Sequence, residues 1–102
     1  MARQRFTAPE ARETAAELGI EWAVVRFYFE QFLAGLNVEL EHGRRDPSTD
    51  VTGDDPVITG KIALAHLKEL PDYYTRLAAM EDEATETTAV ATRRIRRARE
   101  WT

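Results

Sequence analysis

Pro71 constrains this chain most, because it stands between two segments that both carry helical periodicity. A proline inside a helix removes a hydrogen bond and clashes with the preceding turn, and the residue before it is pushed out of the α region. Residues 57–70 and the run from Pro71 onward are therefore two helices meeting at a corner. With Leu70 as N-cap, the second of them places Pro71 at the favoured first position and Asp72 in the first turn, where the helix dipole favours an acid. Its apolar stripe is Tyr73, Leu77, Met80 and Ala84, with Tyr74 and Glu81 on the flank.

The helix before the corner is apolar over most of its circumference. On a wheel of about 100° per residue, Ile58, Ile62, Ala63, Leu64, Ala65, Leu67 and Leu70 form a wide arc, and Lys61 and Lys68 share the narrow polar side. His66 falls between Ile62 and Leu70, and Glu69 beside Ile58 and Ala65, so both are expected to point inward. Ionisable groups in such places need a partner, a hydrogen bond or a metal.

Upstream, Thr7 and Glu10 have capping-box spacing, Pro9 fits a first turn, and Gly19 suits the C′ position of a helix over 8–18. Met1 to Phe6 has no periodicity and is expected to be flexible. IEWAVVRFYF, residues 20–29, has the β-branched and aromatic content of a strand, but no other segment offers a strand partner. A helix over 23–42 is the expectation, with Phe29, Phe32, Leu33, Leu36 and Leu40 on one face and Gly43 as its stop. Glu39 leans inward on that wheel, Glu41 lies nearly opposite, and His42 sits at the C-terminus. RRDPSTDVTGDDP, residues 44–56, is a loop in which Asp54 or Asp55 caps the next helix. Its acids fail as a calcium loop counted from Asp46, since Val51 stands where glycine is needed and Val57 where glutamate is needed.

The 102 residues, 43% of them hydrophobic, suit one small core, and the absence of cysteine removes disulfides, thiolate metal sites and cysteine nucleophiles. No apolar run is long enough to span a membrane. Net charge is -4, unevenly placed: residues 1–88 hold nine basic and seventeen acidic side chains, whereas 89–102 hold five arginines and one glutamate. Arg93, Arg94, Arg96, Arg97 and Arg99 could meet phosphates or an acidic partner.

Glu39-x-x-His42 on one helix and His66-x-x-Glu69 on another offer two imidazoles and two carboxylates, a donor set suited to a single zinc, iron or manganese ion. Equally, these residues form a polar cluster that links helices, with hydroxyls from Tyr73 or Tyr74. There is no Gly-x-Ser-x-Gly elbow, no phosphate-cradling glycine loop and no His-Glu-x-x-His run.

The VELEHG segment, the loop ending in DVTGDDP and the stretch TGKIALAHLKELPDYYTRLAAME resemble an uncharacterised family of small bacterial and phage proteins. The resemblance covers roughly residues 7–84 and includes Glu39, Glu41, His42, His66, Glu69, Pro71, Tyr73 and Tyr74. It implies a bacterial or phage origin and a shared structural or binding task, and it supplies no catalytic role.

The expectation is an all-α bundle of about four helices, 8–18, 23–42, 57–70 and 71–88, the last extending toward 99. Residues 1–88 then form one domain, followed by a basic helical extension or tail over 89–102. The expected function is that of a cytoplasmic or phage-associated interaction module, not an enzyme, partnered by another protein or by itself through the last helix. The alternatives are a metal-binding domain on Glu39, His42, His66 and Glu69, and nucleic-acid contact through the arginine tail.

Overall fold

The structure, a computed structural model, describes residues 5–84. It is the expected small all-α bundle, and no strand occurs among the described residues. Helix α1 spans Ala8–Glu17, α2 Phe29–Arg45 and α3 Pro56–Glu69, and a fourth helix, α4, occupies 73–84. None of the described helices is long and apolar enough to cross a membrane.

Helix α1 is fixed at both ends by its own sequence. The Glu10 amide donates to Thr7 Oγ1, and the Thr7 amide donates back to Glu10 Oε1 at 3.1 Å, completing a capping box. At the other end Gly19 takes a φ of +72°, and the Gly19 and Ile20 amides donate to Ala16 and Ala15 carbonyls, the pattern of a Schellman close. Asp55 caps α3 by accepting from the Ile58 amide at 3.0 Å, with Pro56 in the first turn.

The core lies around α2, which contributes Phe32, Leu36 and Leu40 and packs on α1 and α3. Close approach of α1 and α3 depends on Gly60, where a Cβ would lie 2.8 Å from Leu18 Cδ1 and 2.9 Å from Thr14 Cγ2. Beside it Thr59 is fully buried, its hydroxyl satisfied by donating to the Asp55 carbonyl at 2.6 Å.

Several expectations are corrected. The second helix begins at Phe29, and residues 20–28 form a turn and an irregular run. The reason is a ring cluster: Trp22 meets Phe27, Phe29 and Phe32 edge-on at centroid distances of 5.8, 5.7 and 6.2 Å. On a continuous helix Trp22 and Phe27 would face about 140° apart and could not share it. The same helix runs past Gly43 to Arg45. Gly43 is buried instead of ending the helix, because the loop folds back until Asp50 Oδ1 would touch a Cβ there at 2.8 Å.

Phe6 is also not flexible. It is buried, its amide donates to Asn37 Oδ1 at 2.7 Å, and Asn37 Nδ2 donates to its carbonyl, which ties the strap before α1 to α2. On α3 the buried face is Thr59, Gly60, Ala63 and Leu67, so Ala65 and Glu69 are exposed and Ile58 is 43% exposed. At the corner Leu70 is extended, as the pre-proline rule requires, but Pro71 and Asp72 form a turn before α4 begins at 73. Tyr73 and Leu77 pack against the core, whereas Met80 and Ala84 are exposed. The expected continuation of this helix beyond 84 and the basic tail lie outside the described residues.

Candidate functional site

The polar centre of the bundle is built on one row of α2. Gln31, Gly35 and Glu39 are spaced by four, so they stack on a single face, and all three serve Tyr74 at the start of α4. Gln31 Oε1 accepts from the Tyr74 amide at 3.3 Å, while its Nε2 donates to Thr75 Oγ1 at 2.6 Å. The first amides of a helix have no intrahelical partner, and here a side chain from another helix supplies one. Gly35 leaves room for the ring: a Cβ there would lie 2.5 Å from Tyr74 Cε2 and 3.0 Å from the Ala63 Cβ.

Glu39 completes the row. It is 8% exposed and accepts a hydrogen bond from the Tyr74 hydroxyl to Oε2 at 2.8 Å. Two imidazoles converge on the same carboxylate. His42 Nδ1, one turn along α2, is 3.7 Å from Oε1, and His66 Nδ1, from α3, is 3.6 Å from Oε2. The His66 ring lies 4.3 Å from the Tyr73 ring, and the Tyr73 and Tyr74 rings meet edge-on at 4.9 Å. His66 Nδ1 is shielded from solvent and has no hydrogen-bond partner, the one such buried side-chain atom among the described residues.

Burial, then the hydrogen bond to Glu39 and that carboxylate's charge, drive the Tyr74 phenol far above its ordinary value of 10.0. The phenol therefore remains a donor across the ordinary pH range, and the carboxylate keeps its partner.

Of the four expected metal-site residues, the structure brings Glu39, His42 and His66 together and leaves Glu69 exposed on α3. Among the described residues no group of three or more His, Cys, Asp or Glu is arranged to hold a metal ion. Arg93, Arg94, Arg96, Arg97 and Arg99 lie outside the described residues. Gln31 and Gly35 escaped the sequence reading, although their four-residue spacing to Glu39 was a usable signal.

The acidic loop spends its carboxylates on its own turns. Asp46 accepts from the hydroxyl and amide of Ser48, and these bonds hold its carboxyl below the usual range. Asp50 is lowered likewise, chiefly by the Gly53 amide. Arg44 pairs with Asp54 through two contacts of 3.2 Å.

With the fold and cluster described, comparison with known proteins gives a single result. A family described as Protein of unknown function (DUF5661) matches residues 11–83. The chain belongs to this family. No curated protein and no solved structure matches it. The matched stretch takes in α1 from Ala11 onward, all of α2 and α3 and nearly all the described part of α4, together with the whole Glu39 cluster.

A phenol with a raised folded-state value favours the folded chain fully below its unfolded value of about 10, and this contribution is lost as pH rises above that point. In an alkaline titration followed at tyrosine absorbance, one of the three tyrosines should stay protonated until the chain unfolds. Tyr74→Phe should remove that late step. Ionisation of all three with the fold intact would contradict this assignment.

Proposed function

We propose that the chain is a non-enzymatic protein-interaction module that works through the face carried by residues 20–28. The observation behind this reading is that three of the six exposed large apolar side chains among the described residues fall in that short segment, Trp22 at 39%, Val24 at 72% and Tyr28 at 80%, whereas Val51, Ile58 and Met80 stand singly on other elements. Concentrated exposure of this kind marks interaction surfaces, whereas scattered apolar residues need no explanation. The Glu39 cluster, by contrast, is turned to internal use. Its carboxylate accepts from Tyr74, and the rings of Tyr73 and Tyr74 lie beside His66. The resemblance of the sequence adds a bacterial or phage origin and a cytoplasmic or phage-associated setting to this reading.

In extract of the source cell, the chain should elute in an assembly larger than its own 11.6 kDa. The exposed-site variants Val24→Glu and Tyr28→Ser should release it from that assembly with the fold unchanged by circular dichroism. Elution of the wild-type chain at its own mass, or an assembly indifferent to both substitutions, would overturn the reading.

The partnerless His66 Nδ1 favours a second reading, in which Glu39, His42 and His66 take up one zinc, iron or manganese ion after the rings shift from their present spacing. It predicts about one metal per chain in elemental analysis of untagged protein, and loss of that metal in His66→Ala. Protein that stays metal-free after incubation with each ion would leave the cluster as architecture.

A further inference from the structure

Beside the exposed segment lies a shallow apolar groove of about 230 Å³, lined by Leu18, Ile20, Val24, Val25 and Leu64 between the end of α1 and the middle of α3. Val24 stands at its lip, so the same small area offers a projecting aliphatic side chain and a hollow beside it. Glu21 and Lys68 complete the lining, one acid and one base. Among the described residues neither has an oppositely charged group within ion-pair distance. The arginine ion pairs formed among the described residues lie elsewhere: Arg44 with Asp54, Arg45 with Glu41, and Arg76 with Asp72.

A surface that carries one projection, one hollow, one acid and one base is complementary to itself. A uniformly acidic or basic partner would meet one like charge here, which costs specificity. A two-fold contact uses the same patch twice, so each charge can find its opposite on the other molecule. We propose that this groove docks a second copy of the chain about a two-fold axis, with Val24 of each copy in the other's groove and Glu21 facing the partner's Lys68. The inference rests on the interaction reading above and names its partner. It also moves the expected self-association from the last helix to the face formed by segment 20–28 and α3.

The test is sedimentation equilibrium on the purified full chain through the micromolar range. The wild-type chain should reach the mass of two copies, and Val24→Glu, at an exposed position, should stay at one with an unchanged melting temperature. Glu21→Lys alone and Lys68→Glu alone should each weaken association by about tenfold or more, because each sets like charges face to face. The double variant E21K/K68E exchanges the charges on both copies and should return to within about threefold of wild type. A wild-type chain that is monomeric throughout overturns the dimer. In that case a large assembly in cell extract would still support the broader interaction reading. A dimer indifferent to Val24→Glu and to the charge exchange also overturns the proposal, since the contact would then lie elsewhere.

Discussion

The bundle depends on the buried hydrogen bond from the Tyr74 hydroxyl to Glu39. A carboxylate inside a small apolar core is costly unless it is hydrogen-bonded, and a phenol shielded from water has the same need. Each solves the other's problem. Hydrogen bonds to charged groups contribute about 1.5–3 kcal/mol net, a large share of the roughly 5–15 kcal/mol that keeps a small domain folded. The bond also sets a geometry. It works only if the Tyr74 ring can lie close against α2, which Gly35 permits, and only if α4 starts where Gln31 can reach the Tyr74 amide and the Thr75 hydroxyl. The turn at Pro71 delivers Tyr74 to that place. Sequence, corner and polar cluster are thus one device that fastens α4 to α2 and α3.

Much of this was legible in the sequence where local chemistry decides. The capping box at Thr7 and Glu10, the Gly19 close, the Asp55 cap and the break at Pro71 all need only near neighbours, and all are found. The inward lean of Glu39 was readable because the apolar stripe of α2 is narrow enough to define a direction. Helix α3 was different. With apolar residues nearly all round, its wheel gave a wide arc that included Ile58 and Ala65 and could not single out one buried face. Close helix contact chose the small residues instead, so Gly60, Thr59 and Ala63 went inside and Glu69 went out. Glu69, expected to face inward with Glu39, His42 and His66, is instead exposed. Segment 20–28 failed for a long-range reason: the ring cluster around Trp22 is stable only when the chain turns, and no periodicity encodes that.

The two surfaces of functional interest are built on opposite principles. Around Glu39 a buried carboxylate is shared among groups of α2, α3 and α4, with one shielded imidazole nitrogen left without a hydrogen-bond partner. Around Val24 apolar atoms are left outside, next to a groove and two unmatched charges. The first arrangement makes the framework rigid, and the second gives that framework a face. Both lie within residues 11–83, the stretch that matches the family.

The central claim is that Glu39 and Tyr74 act as a pair that stabilises the fold. A double-mutant cycle with Glu39→Gln and Tyr74→Phe, read by urea unfolding, measures that coupling without counting either residue's separate packing. The account predicts a coupling of about 1.5–3 kcal/mol, with the double variant less destabilised than the sum of the two single variants. Additive losses, with no coupling beyond about 0.5 kcal/mol, would contradict it and make the contact incidental to the fold.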